Sequence, residues 1–386
     1  MRDQPPGGNE MPSLGKSVPL VPPLYTSSVY TLPDLDALNS ILDDGEEGYI
    51  YARDGHPNAR FLADQIQALE AAAWATICGS GMAAITAALL ALLKQGDRII
   101  ASNSLYGRTT QLLRDELVRF GVRTTIVDCG QLTQVRSALE ESAKVLLVET
   151  MSNPLLRLAD LEELGRLAHE HDCLLLVDNT FATPILTRPH DLGADFVVES
   201  LTKMIGGHGD ITLGAVSGSG DHLQQVNQVV SIWGLASNPF DCWLASRGLA
   251  TLPLRMRTAS VNAAAIADWL TEQTCVSRVI YPGRSDHKDH DLACRILTGG
   301  FGNMVSFELQ GGREGVNRFM RSAKGIPFSP SLGSTMTTCS HPATTSHRYL
   351  PPADRRRLGI DDGLIRLSVG IEDVRSIQEE MAKGLS

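Results

Sequence analysis

Apolar residues first recur at helical spacing from Phe61, in "FLADQIQALEAAAWA". That run leads through the Gly-Ser-Gly turn at residues 79–81 into a second apolar helix that ends near Gly96, after which "RIIAS" reads as a strand. The rhythm then shortens. "RTTIVD", "KVLLVET", "CLLLVDNT" and "ADFVVES" are largely apolar and β-branched, and helical stretches such as "LADLEELGRLAHEHD" separate several of them. Strands apolar on both faces and joined through helices predict a mostly parallel sheet covered on both sides, an α/β architecture. Such sheets bind ligands at the carboxyl ends of their strands.

Beyond about residue 250 the texture changes. A long helical stretch from Cys242 to Leu270 is followed by strand-like "GNMVSFEL" and "LIRLSVG" with helical pieces between them, the pattern of a smaller α+β domain. The first twenty or so residues, rich in Pro and Gly, read as an extended arm. The expected division is an arm over 1–50, a large domain over 51–250 and a small domain over 251–386.

Composition narrows the function classes. At 386 residues the chain has room for two or three domains, and 43% hydrophobic with 20% charged residues is ordinary for a soluble protein. A net charge of -10 argues against a nucleic-acid or anionic-membrane binder, since both need a basic face. The opening "MRDQPPGGNEMPSLGKSVPLVPP" lacks the apolar core of a signal peptide, and no later run approaches the roughly 18 apolar residues of a membrane span. A cytoplasmic protein is expected. The seven cysteines are scattered, with no C-x-x-C pair and no His cluster at ligand spacing, so reduced core thiols and no metal site are expected.

Three features at strand ends carry candidate chemistry. Asp178 closes "CLLLVD", where an unpaired carboxylate would be costly. Lys203 follows "FVVESLT" and precedes a loop containing Gly206, Gly207 and Gly209. The "CGSGM" turn at residues 78–82 offers backbone N–H groups at a helix N-terminus, which suit a phosphate. Singly, these read as a turn residue, a surface lysine and an ordinary glycine turn. Together they match the needs of pyridoxal phosphate: a lysine for the Schiff base, an acid beside the pyridine nitrogen and an anion cradle.

The chain resembles the Cys/Met-metabolism family of pyridoxal-phosphate enzymes, of fold type I. The resemblance runs in family order from "YARDGHPNARFLADQIQALE" through "GSGMAA", "SLYGRT", "VETMSNP", "VDNTFATP", "ESLTKMIGGHGD", "NPFDCWLASRGLATLPLRM" and "SLGSTMTTCSHPATTSHR" to "LIRLSVGIED". It implies pyridoxal 5'-phosphate as cofactor and an amino acid as substrate. Lys203 matches the Schiff-base lysine that also moves protons, and the loop glycines are expected to let the backbone pass close to cofactor and substrate. Asp178 matches the partner of the pyridine nitrogen. The phosphate falls to the backbone of Gly81 and Met82 and the hydroxyls of Ser200 and Thr202, with Tyr51 and Arg53 completing the site from a neighbouring subunit. A homo-oligomer follows, at least a dimer with shared active sites and expected to be a tetramer. Tyr106 matches the tyrosine that stacks on the ring and can relay a proton. Arg366 matches the arginine that grips the α-carboxylate, with Ser331 and Asn153 as accessory contacts.

Departures from the family pattern bear on the substrate. Arg108 stands where many members have a small residue, and could receive an acidic substrate tail or face solvent at a helix start. Ser334, Thr335 and Met336 replace a stretch that in cystathionine enzymes carries a glutamate, and Pro330 replaces a position acidic in some γ-lyases. The expected reaction makes or breaks a C–S bond at Cγ, with γ-replacement on an O-acylhomoserine favoured. Its rivals are a γ-lyase, a β-lyase on cystathionine, an aminotransferase and a cofactor binder without turnover.

Overall fold

A computed structural model describes residues 14–43 and 45–385; the first thirteen residues of the expected arm lie outside it. Eleven strands form two sheets among the described residues. The larger holds β1 (Trp74–Cys78), β2 (Arg98–Ser102), β3 (Arg123–Val127), β4 (Val145–Glu149), β5 (Leu174–Asp178), β6 (Phe196–Glu199) and β7 (Gly214–Gly218), in the order β1-β7-β6-β5-β4-β2-β3. Every pairing from β3 to β6 is parallel, and only β7 runs against its neighbours. Val145, Leu146, Leu147 and Val148 of β4 are wholly buried because helices cover both faces. The mostly parallel α/β sheet is as the apolar runs predict.

Two of these strands are absent from the sequence reading. The helix Pro57–Glu70 stops at Ala71, which turns left-handed at φ 54°, and "WATIC" continues as β1 rather than as helix. Pairing with β7 overrides the helix preference of the alanines, with Trp74 Nε1 donating to the Gly220 carbonyl. β7 itself, "GAVSG", is poor in β-branched residues. Its glycines serve close packing: a Cβ on Gly214 would lie 2.2 Å from the Ser80 carbonyl oxygen, and one on Gly218 would lie 2.2 Å from the Trp74 ring. The stretch from Cys242 to Leu270 is two helices, Pro239–Leu249 and Leu252–Thr271, broken at residues 250–251 with Pro253 in the first turn of the second.

The second sheet is antiparallel, in the order β10-β11-β9-β8, with β8 (Val276–Ile280), β9 (Met304–Leu309), β10 (Thr338–Ser340) and β11 (Leu364–Ser368). Only β9 and β11 are legible in advance. Helices Gly312–Ser322 and Val374–Leu385 bury Phe319 and Met381 in the same core as Phe307 of this sheet.

Residues 14–33 form no helix, yet they are anchored. The Pro22 carbonyl accepts from Trp243 Nε1, the Pro23 carbonyl accepts from Asn58 Nδ2, and the Tyr25 N–H donates to Asn58 Oδ1. All seven cysteines are free thiols; five are buried, Cys275 is half-buried and Cys294 is exposed. Among the described residues no helix is long and apolar enough to cross a membrane.

Beneath the ends of the parallel strands two carboxyls meet. Glu70, at the end of its helix, and Glu199, at the end of β6, are both buried, and Asn179 Nδ2 donates to Glu199 Oε1. Burial lifts the Glu70 carboxyl to about 7, against a smaller opposing effect of the neighbouring Glu199 and Asn179 groups. Burial lifts Glu199 as well, and the neighbouring Glu70 charge adds to it. A carboxyl with a raised folded pKa binds its proton more tightly in the fold than in the unfolded chain. Stability therefore falls as pH climbs from the ordinary carboxylate range toward about 7, then levels. Glu70→Gln is expected to flatten that fall and to melt above the wild type at neutral pH. Melting curves of the two proteins that run parallel across this pH window would refute the raised Glu70 pKa.

Candidate active site

A cavity of about 810 Å³ opens where β4, β5 and β6 end. The strands deliver their last side chains to its floor: Glu149 and Asp178 sit opposite each other in the β4/β5 register, and β6 runs into the turn that holds Ser200, Thr202 and Lys203. Across the cavity, β11 of the smaller sheet contributes Arg366.

Lys203 Nζ donates to Ser331 Oγ at 3.1 Å. Burial, with help from the Arg366 charge, lowers its pKa below the usual amine value, so a larger share of the amine is unprotonated and able to take a proton. The loop glycines do something other than expected. Gly206 and Gly207 do not line the cavity; a Cβ on Gly207 would lie 2.1 Å from the Arg255 guanidinium. Arg255, itself buried, donates to the carbonyls of Met204, Ile205 and Gly248. Gly207 thus lets a buried guanidinium clamp the turn that carries Lys203, while a Cβ on Gly206 would meet Ile211 and the Leu201 carbonyl.

Asp178 accepts the Thr180 N–H at 3.0 Å, and burial raises its pKa above the ordinary carboxylate value, a penalty that a cationic partner would relieve. Arg366 is 4% exposed. It donates to Asn153 Oδ1 at 2.8 Å and to the Ser331 carbonyl at 3.3 Å, while its Nε is buried without a partner. Burial brings the guanidinium down to about 10, still charged at neutral pH.

The helix Gly81–Leu92 points its N-terminus at the same cavity. Ser80 caps it by accepting the Ala83 N–H, which leaves the Gly81 and Met82 N–H groups without an intrahelical acceptor. Gly81 is needed there: a Cβ would lie 2.8 Å from the Ser200 Cβ. Ser200 Oγ has no hydrogen-bond partner among the described residues. The Thr202 hydroxyl donates to the Leu213 carbonyl and accepts the Leu213 N–H, so its proton is already committed. Tyr106 and Arg108 form one wall, and Arg108 donates to Gln111.

The geometry is matched by relatedness. The model for the Cys/Met metabolism PLP-dependent enzymes matches residues 9–386. The chain belongs to that family. It is 39% identical over 363 residues to an O-succinylhomoserine sulfhydrylase of Pseudomonas aeruginosa, covering 94% of this chain and 90% of that one. It is 37% identical to an L-methionine gamma-lyase of Fusobacterium nucleatum, covering 95% and 93%. A solved cystathionine gamma synthase from Xanthomonas oryzae pv. oryzae, in complex with aminoacrylate and cysteine, superposes with a TM-score of 0.90 at 36% identity, covering 95% of this chain and 92% of that one. The family's enzymes depend on pyridoxal phosphate and make or break C–S bonds.

The residues present fit that cofactor. The uncapped N–H groups beside Ser200 suit a phosphate, Asp178 suits a protonated ring nitrogen, and Lys203 suits an aldehyde carbon. Of the residues singled out in the sequence, ten line the cavity and Ser331 touches Lys203. Tyr51 and Arg53 do not line it. They are exposed, with the Arg53 guanidinium 5.2 Å from the Tyr51 ring centre. Sequence reasoning passed over Glu149, Thr180, Arg348 and Tyr349, all in the lining. Glu149 lay inside the quoted "VETMSNP", where a charged residue ending an apolar strand was the available signal. Arg348 and Tyr349 sit in a loop that no period marks.

Proposed function

We propose that this enzyme joins sulfur to carbon by γ-replacement on an O-acylhomoserine whose acyl group carries its own carboxylate. The observation that supports this is a pair of cations at the cavity, Arg108 and Arg348, both exposed and neither in an ion pair among the described residues. Arg366, deep in the opposite wall, takes the α-carboxylate through its free Nε edge. A second anion then meets Arg108 and Arg348, as a succinyl ester would and an acetyl ester would not. The likeness to the O-succinylhomoserine sulfhydrylase supports the same reading.

In this reading each side chain has a stated task. Gly81 and Met82 N–H groups and Ser200 Oγ hold the cofactor phosphate, and Asp178 keeps the ring nitrogen protonated. The bound cofactor supplies electron withdrawal from the substrate Cα. Lys203 Nζ removes the Cα proton and carries protons among the neighbouring carbons, starting from the neutral amine that burial favours. Tyr106 lays its ring on the cavity wall to stack against the cofactor and can pass a proton through its hydroxyl. Tyr51 and Arg53 reach a phosphate only in a second copy's site, so a dimer or larger assembly is part of the proposal.

The deciding assay supplies O-succinylhomoserine, O-acetylhomoserine, cystathionine or methionine, each with and without sulfide or cysteine. Homocysteine or cystathionine is expected only with the nucleophile present, and more efficiently from the succinyl ester. Replacing Arg108 and Arg348 together by Ala is expected to raise KM for the succinyl ester by roughly threefold to tenfold, as exposed charge pairs allow, and to leave KM for the acetyl ester in place. If 2-ketobutyrate and ammonia appear regardless of nucleophile, the protein is a γ-lyase. Pyruvate from cystathionine would instead make it a β-lyase.

A further inference from the structure

Among the described residues Glu149 is the one carboxyl in the cavity floor besides Asp178, and the roles above leave it unused. Its position is fixed by the sheet: it ends β4 in register with Asp178, which ends β5. Its two contacts reach in different directions. Glu149 Oε1 accepts the Tyr106 N–H, at the turn that opens the wall helix Gly107–Gln111. The Asn153 N–H, four residues on, faces the same carboxyl and favours its ionised form. Asn153 in turn accepts from Arg366, Arg366 donates to the Ser331 carbonyl, and Ser331 Oγ accepts from Lys203. One side chain therefore joins the two otherwise separate halves of the site.

We propose that Glu149 is a positioning residue, whose carboxyl sets the distance and angle between the Tyr106 wall and the Asn153–Arg366 carboxylate clamp. The inference rests on the roles proposed for Tyr106 and Arg366. Neither Tyr106 nor Asn153 has another route to a common anchor: Tyr106 leads a five-residue helix with no side-chain cap, and Asn153 lies in the loop after β4. A carboxyl also suits the task because it can hold a proton. Burial, reinforced by the Asp178 charge alongside, raises the Glu149 pKa well above the carboxylate range, so it accepts the Tyr106 N–H without placing a second negative charge beside Asp178.

The test compares Glu149→Ala, Glu149→Asp and Glu149→Gln in the cofactor-loaded enzyme. The readouts are kcat, KM and the affinity for L-norvaline, followed by cofactor absorption. Norvaline carries the α-carboxylate but no departing group at Cγ, so its binding reports the clamp apart from turnover. Loss of the Tyr106 hydrogen bond together with the Asn153 contact predicts affinity lowered by roughly tenfold in Ala, and in Asp, which is one methylene short of reaching both groups. KM is expected to rise with it. Gln keeps the length and one acceptor, and its loss should not exceed about threefold. Should Ala fail to fold, Asp carries the comparison. Norvaline affinities in Ala and Asp equal to wild type would overturn the proposal, whatever happens to melting temperature. So would a Gln variant as impaired as Ala, since that assigns the effect to the carboxyl's chemistry and not to its reach. If the wild type itself fails to bind norvaline, the assignment of Arg366 fails first.

Discussion

Lys203→Ala is expected to lower kcat by roughly 10⁴-fold, the upper range of what a positioned acid–base group contributes. The argument is local. Among the described residues no other amine lines the cavity, and Lys203 Nζ is held by Ser331 Oγ at 3.1 Å on a turn whose carbonyls are clamped by Arg255. Removing the side chain leaves that clamp, the capped helix at Gly81 and the Asp178–Thr180 contact intact. The variant should therefore fold, retain cofactor without a covalent link and fail at proton removal. Borohydride reduction followed by peptide mass analysis checks this directly: wild type is labelled at Lys203 and the variant is unlabelled. A variant that retains even a few per cent of wild-type turnover would remove Lys203 from the proton-transfer role.

Asp178→Asn is expected to cost roughly 10³-fold in kcat/KM, the scale of breaking a buried charge pair by neutralising one partner. Asp178 bears a burial penalty that only a cation can repay, and Thr180 holds its carboxyl in one orientation. Asn keeps the shape and loses the charge. The ring nitrogen would then keep its proton less firmly, and electron withdrawal from the substrate would weaken. Measured turnover and bound-cofactor spectra should change together, while melting temperature changes little. If the variant turns over normally, a neutral partner suffices at that position and the charge argument is wrong.

The parallel half of the large sheet was legible because β2, β4, β5 and β6 are largely apolar on both faces, as Leu146 and Leu147 of β4 show by packing into the cores on opposite sides. β1 and β7 were not, because each depends on the other: the alanines before Trp74 favour a helix, and Gly214 and Gly218 favour nothing in isolation. Only contact between Trp74 and Gly218 decides the matter, and contact is not written in local sequence. The candidate site was legible where chemistry forces a residue type, as at Lys203, Asp178 and Arg366. It was illegible where a residue acts through geometry. Gly207 is spent on Arg255, the Thr202 hydroxyl on Leu213, and Glu149 on the Tyr106 N–H, and none of these partners can be inferred from spacing.

The floor and the mouth of the cavity come from different parts of the chain. The floor stands on strand ends locked in a buried sheet, whereas Arg348 and Tyr349 belong to a loop that packs on Gly107, where a Cβ would fall 2.3 Å from the Tyr349 ring. Exposed residues 108 and 348 can be exchanged without disturbing that contact, but Gly107 cannot. On the roles proposed for these two cations, altering two surface charges retunes which acyl esters the fold accepts and leaves the reaction centre untouched, and divergent specificities among relatives of similar identity are the history such an arrangement permits.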